Sequence, residues 1–282
     1  MKKVLLLIVI VCVMVLVGCE NTQKPIETAN ETSTNEVINE DVELVSKIDD
    51  NKEWVYKADY ENDVDKTSYE LYDHTYRLED IKVPFININS EDATNANKEI
   101  KQTYDTAIEA FKEGLVDEMT YVDECDYKNY ENNNVISVLT TLGIGATDVV
   151  HPIYNTYNFD LKTGNLMTFD EVVAKSNIIP EELDEKVKNT IDKYLDLILD
   201  NFIGDMDVES LISSMGMSET RNKDDYQNGP DFLKSIAFEN YKEITEANKV
   251  RCYLDSLNKL HMVITIFIPA GSGSFDTLLV VE

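Results

Sequence analysis

The chain has 282 residues, with 25 Lys and Arg against 54 Asp and Glu, for a net charge of −29. That acidity excludes nucleic acid and anionic lipid as electrostatic partners, because both need basic surface, and it favours a cationic one. Hydrophobic residues make up 43% of the chain, enough to build a sizeable core.

Lys2 and Lys3 precede fourteen unbroken apolar residues, Val4 to Val17, and the segment closes as Leu16-Val17-Gly18-Cys19. A positive start, a short apolar run and a small residue before a cysteine have the form of an export signal, and the ending resembles a bacterial lipobox. Fourteen residues in a helix span roughly 21 Å, short of the roughly 30 Å of a bilayer's hydrocarbon core. An uncleaved anchor is therefore the poorer fit. The expectation is a lipoprotein signal peptide over residues 1–18, lipid attachment at Cys19, and a place on the extracytoplasmic face of the cell membrane. Two fatty acyl chains of the palmitate kind, at about 0.8 kcal/mol per buried CH₂, hold where one would be marginal. Removing residues 1–18 takes away Lys2 and Lys3 and no acid, so the charge moves from −29 to −31. Acidic residues also keep an exported protein soluble, so most of this charge needs no partner to explain it.

Residues 19–68 read as an acidic, polar tether, richest in Asn, Thr, Ser and Glu between Glu20 and Asp50. The single tryptophan, in Trp54-Val55-Tyr56, stands near its end, where a first edge strand could open the fold. Folded sequence is expected in two successive halves, 69–150 and 151–282. Alternation predicts strands over Tyr72–Leu78 and Val83–Ile88, with Pro84 at an edge or bend. Ser90, followed by Glu91 and Asp92, caps a helix whose Ala93, Ala96, Ile100, Tyr104, Ala107, Ile108, Phe111 and Leu115 share one face, with Gly114 weakening its end. Strands follow over Met119–Tyr127, Val135–Leu142 and Ile153–Leu161, parted by the polar turn Tyr130–Asn134 and a bend at Gly143-Ile144-Gly145. A turn over Asp160–Asn165 wants Gly164 at positive φ, and Thr168 with Glu171 has the spacing of a capping box. Pro180 opens a longer helix with a stripe of Leu183, Val187, Ile191, Tyr194, Leu195, Ile198 and Phe202, stopped by Gly204. A further helix over Met206–Met217, a loop over Ser218–Gly229 and strands over Val250–Leu254, Leu260–Ile268 and Phe275–Val281 complete the chain, the last turn being Pro269–Ser274. The fold class is α+β, mostly antiparallel, with helices packed on one face of the sheet or sheets.

Chemistry is thinly signalled. His74, His151 and His261 are far apart and have no partner at metal-ligand spacing. Gly271-Ser272-Gly273-Ser274 lies between strands, unlike a nucleophile elbow, which links a strand to a helix. Asp205-Met206-Asp207, Asp224-Asp225 and Asn132-Asn133-Asn134 match no calcium-loop pattern. Among four cysteines, Cys12 lies in the signal and Cys19 at the anchor. Cys125 and Cys252 remain, either as a candidate disulfide in an exported chain or as two unpaired buried thiols. No catalytic residue, cofactor site or metal site is assigned.

Val83-Pro84-Phe85 before an Asn-rich helix, Asn134-Val135-Ile136-Ser137-Val138, and the run from Tyr157-Asn158-Phe159-Asp160-Leu161-Lys162-Thr163-Gly164-Asn165 to Thr168-Phe169-Asp170-Glu171-Val172 resemble a two-part extracytoplasmic module. It is similar to the outer region of RsiV-type anti-sigma factors, which bind lysozyme, and to the noncatalytic region of PdaC-type peptidoglycan deacetylases. Ile266-Phe267-Ile268-Pro269-Ala270-Gly271 before a strand fits the same pattern, and coverage runs from about Tyr72 to Glu282. Where relatives carry a Gly-Gly-Ala-His segment, this chain has Gly145-Ala146-Thr147-Asp148-Val149-Val150-His151. No deacetylase domain with its Asp-Asp and His ligands is found, so the resemblance implies the outer module alone and recognition rather than chemistry. The expected function is a lipid-anchored recognition protein whose partner is lysozyme or another cationic wall-active protein. The alternatives are binding of peptidoglycan glycan or peptide through tyrosines, and an envelope hydrolase or transferase using acidic residues.

Overall fold

The computed structural model describes residues 53–71, 73–117, 119–146, 150–202, 229–267 and 274–282. The signal peptide, Cys19, the tether up to residue 52, the helix expected over Met206–Met217, and most of the loop Ser218–Gly229 and the turn Pro269–Ser274 lie outside the described residues. Among the described residues, four helices and ten strands form an α+β fold of antiparallel sheets.

Folding starts earlier than the tether boundary at 68 would have it. Strand β1 (Val55–Lys57) pairs antiparallel with β4 (Pro84–Ile86), and Val55, Ala58 and Tyr60 are buried in the first core. The edge strand expected at Trp54-Val55-Tyr56 is thus part of the fold, inside the span read as tether. Between these strands lies a hairpin of β2 (Ser68–Leu71) and β3 (His74–Arg77). Helix α1 (Glu91–Asp117) begins at Ser90, whose Oγ accepts from the Ala93 N–H at 3.1 Å. Its predicted face is buried at Ala93, Ala96, Ile100, Tyr104, Ala107, Ile108 and Phe111. That face lies on a sheet ordered β5 (Thr120–Asn132), β6 (Val135–Ala146), β7 (Val150–Asp160), against Val122, Ile136, Val138, Tyr157 and Phe159. Each large side chain buried here contributes about 1.5–3 kcal/mol.

The boundary between halves is not at 150/151. Strand β7 is the third strand of the first sheet, and its alternation delivers Tyr157 and Phe159 to the first core. The division falls instead at the turn after Asp160, where Gly164 has the expected positive φ of 76°. Beyond it, Thr168 and Glu171 form both bonds of the capping box that opens α2 (Phe169–Lys175). Pro180 starts a short 3-10 turn leading into α3 (Leu183–Phe202), and Leu183, Val187, Ile191 and Leu195 are buried. A helix with no counterpart in the sequence reading, α4 (Gly229–Glu246), adds Leu233, Ala237 and Tyr241. These helices cover the sheet β10-β9-β8, built from β8 (Arg251–Leu254), β9 (Leu260–Phe267) and β10 (Ser274–Val280), with Cys252, Met262, Ile264 and Ile266 in a second core.

Side chains join the two sheets. Strand β8 is an edge of its sheet, and its Leu254 N–H donates to Ser137 Oγ at 3.2 Å while its Cys252 C=O accepts from Asn158 Nδ2 at 2.7 Å. Ser137 Oγ also donates to Asn158 Oδ1 at 2.7 Å, so the pair substitutes for a missing strand at a buried edge. Arg251 extends the joint, donating to the Tyr154 carbonyl at 2.9 Å and to Asp276 at 2.6 Å.

Candidate recognition surface

A recess of about 800 Å³ lies between β3 and one end of β5. Its shape comes from a β-bulge. Val122 faces Ile144 and Glu124 faces Gly143, so Asp123 is an extra residue, and both Asp123 and Glu124 project into solvent. Tyr121, beside the bulge, lies so close to Gly145 that a Cβ there would sit 2.1 Å from the ring; only glycine admits this wall of the groove. The hairpin is held alongside by aromatic contacts: Tyr69 on Tyr76 at 5.3 Å, Tyr76 on Tyr121 at 5.3 Å and Tyr69 on Phe111 at 5.0 Å. Tyr69 Oη donates to the Thr120 carbonyl at 3.2 Å, and burial pushes this phenol up to about 12, so it stays neutral.

Charges of both signs line the groove, Asp80, Asp123, Glu124 and Asp126 against Arg77 and Lys82, with the His74 ring beside them. None of these seven forms an ion pair among the described residues. Strand β5 itself carries four carboxylates, at Asp123, Glu124, Asp126 and Glu131, against the single Lys128. It is also an edge strand, so this acidic row lies at the border of its sheet.

A second recess, about 560 Å³, lies further along β5 and is lined by Glu53, Trp54, Val55, Asn87, Asn129, Glu131 and Ile136. Trp54 is 43% exposed, and its carbonyl is fixed by the Asn87 N–H at 2.8 Å. An exposed indole flanked by two exposed carboxylates can hold a cation by charge and by its π face. The bulge left no trace in the sequence, since Asp123 and Glu124 are both polar. The Trp54 recess had one signal, the lone tryptophan beside an acid.

The structure separates the other candidate groups. His74 is exposed in the groove, and His151 lies on β7, with its side chain outside the described residues. His261 is set between Tyr253 Oη and Asp255 Oδ2, each 3.1 Å from one ring nitrogen. This Asp–His–Tyr chain has the order of a proton relay, but its phenol is 3% exposed. Burial raises the Tyr253 phenol well above its usual range, with Tyr130 and Asp255 adding to the shift. Burial also works to raise the Asp255 carboxyl, but hydrogen bonds from the Lys259 N–H, His261 and the Leu257 N–H outweigh it and hold the group low. These bonds tie the turn between β8 and β9. Cys125 and Cys252 do not form a disulfide: both thiols are free, and each is buried in a different core. Burial pushes both thiols up to about 12, so neither is a nucleophile at neutral pH.

Among the described residues, no group of three or more His, Cys, Asp or Glu side chains is placed to hold a metal, and no helix is long and apolar enough to cross a membrane. Asn133 and Asn134 form the β5–β6 turn. A scan of protein-family models and a search of curated proteins find no match to this chain.

Proposed function

We propose that this chain is a lipid-anchored recognition protein, held by Cys19 at the extracytoplasmic face of the membrane, whose folded body binds lysozyme or another cationic wall-active protein. The observation that carries the reading is the acidic edge strand: Asp123, Glu124, Asp126 and Glu131 on β5 lack an ion-pair partner among the described residues and line two recesses. Carboxylates left unpaired in a chain of net charge −29 speed encounter with a basic protein and fix its orientation. The resemblance of the Tyr157–Val172 run to lysozyme-binding ectodomains supports the same class of partner.

The test is retention of lysozyme by the full-length chain in detergent, at about 0.05 M and about 0.3 M salt. Retention that weakens steeply with salt, and weakens further in an Asp123→Asn, Glu124→Gln, Asp126→Asn variant, is the expected result. No retention at either salt level overturns the reading. Cys19→Ser should release the protein from membranes, and unchanged membrane retention of that variant removes the lipid anchor from the account.

A further inference from the structure

The outer edge of β5 changes character along its length. At Cys125 it is occupied: the carbonyl accepts from the Lys82 N–H at 2.8 Å. At Tyr127 the N–H is taken by the carboxylate of Asp126 at 2.9 Å. Alternation in an antiparallel ladder points every second residue outward, so the same direction passes from Cys125 and Tyr127 to Asn129 and Glu131. The Tyr127 carbonyl and the N–H and C=O of Asn129 and Glu131 have no hydrogen-bond partner among the described residues. An edge left open in this way is a template for another strand.

The residues beside the open edge select what could pair there. Residues directly opposite on neighbouring strands put their side chains on one face of the sheet. A residue placed against Asn129 or Glu131 would therefore present its side chain to the recess of Trp54, Glu53 and Glu131. Glu53 and Glu131 have no ion pair among the described residues, and the indole is open to solvent. A second copy of this chain would set its own acidic β5 against this one, four carboxylates and one lysine on each side, and is repelled. A basic extended segment meets opposite charge, a π face and free backbone groups together.

We infer that the outer edge of β5 between Tyr127 and Asn132 takes an extended basic segment of a partner protein as an added antiparallel strand, seating one arginine or lysine side chain in the Trp54 recess. The inference rests on the recognition reading above and names its contact.

Trp54 is the only tryptophan in the chain, so intrinsic emission reports this recess directly. The probe is an acetylated, amidated peptide of alternating arginine and threonine, titrated into the full-length protein in detergent. A saturable change in Trp54 emission is expected, weakened several-fold by Glu131→Gln. With arginine side chains in the recess, the arginine amides face β5 and the threonine amides face away. Methylating the arginine amide nitrogens should weaken binding by at least about tenfold, and methylating those of threonine should leave it unchanged. Asn129→Pro removes one outward N–H while sparing the ladder to β6, and should also weaken the response. If that variant misfolds by circular dichroism, the methylated peptides decide alone. Equal binding of all three peptides, or an emission change given by a chitin oligosaccharide and not by the peptide, overturns the inference. Lysozyme retained equally by the wild type and a folded Asn129→Pro variant sinks the edge contact and leaves the recognition reading standing. No retention of lysozyme by the wild type, with an intact peptide response, sinks the lysozyme reading and leaves the edge contact standing.

Discussion

On the side of β4 away from β1, the N–H and C=O of Ile86 meet the side-chain amide of Asn97 at 2.8 and 2.9 Å. Ile86 is 0% exposed and Asn97 3%, so neither backbone group has water to fall back on. A helical asparagine here replaces one rung of a β-ladder, and each buried group left unpaired costs about 1–3 kcal/mol. Asn97→Ala should therefore lower stability by about 2–4 kcal/mol, read as a fall in the urea midpoint with an unchanged slope. Asn97→Asp keeps the acceptor but sets a carboxylate against the Ile86 carbonyl, and should not rescue. Titration gives a second consequence of burial. Burial raises the Cys125 and Cys252 thiols from 9.0, and the Tyr60 and Tyr69 phenols from 10.0, each to about 12. The folded protein keeps these protons where the unfolded chain has released them, so the unfolded state binds fewer protons and stability falls with rising pH. The loss should begin near pH 9 and run to about 12. Urea midpoints that stay flat between about pH 8 and about pH 11 would contradict the burial of these groups.

At the scale of elements, the β5–β6 connection shows both what sequence patterns reveal and what they hide. Tyr130–Asn134 reads as a five-residue polar loop, yet β5 continues to Asn132 and the turn is only Asn133 and Asn134, with φ of 47° and 64°. Both belong to the left-handed region that a two-residue hairpin turn requires, and asparagine tolerates it better than other side chains. Asn134→Gly should be neutral or stabilise by up to about 1 kcal/mol, and Asn134→Val should destabilise by about 1–2 kcal/mol, because β-branching resists positive φ. Thermal melts of the two variants that move together would rule this turn out. Polarity misled because the end of β5 lies at an open edge, where strand residues need not be apolar. The α1 face, the Ser90 cap and the Thr168 capping box were legible because each depends on local spacing alone. Helix α4 carries a usable signal, Leu233, Ile236, Ala237 and Tyr241 at helical intervals after Pro230. The bulge at Asp123, and the groove it opens, depend on register against β6, and an edge strand's own sequence does not encode that.

At the scale of the whole molecule, two electrostatic effects of opposite sign compete, and salt separates them. Exposed pairs such as Lys101–Asp105 and Lys188–Asp192 favour the fold, each by well under about 1 kcal/mol, and salt weakens them. Against them stands the self-repulsion of 54 acids with only 25 bases, which salt relieves. The screening length falls from about 30 Å at about 0.01 M to about 10 Å at about 0.1 M, so repulsion between distant carboxylates is removed first and contact pairs are affected least. Repulsion therefore dominates the response, and the melting temperature should rise with added sodium chloride over this range. Binding of the proposed cationic partner should move the other way, because the same screening weakens its attraction to β5. The opposed slopes guard against a simple misreading, since loss of binding at high salt cannot then be blamed on unfolding. A melting temperature that falls with salt would mean the local ion pairs, and not the acid excess, govern the charge balance of the fold.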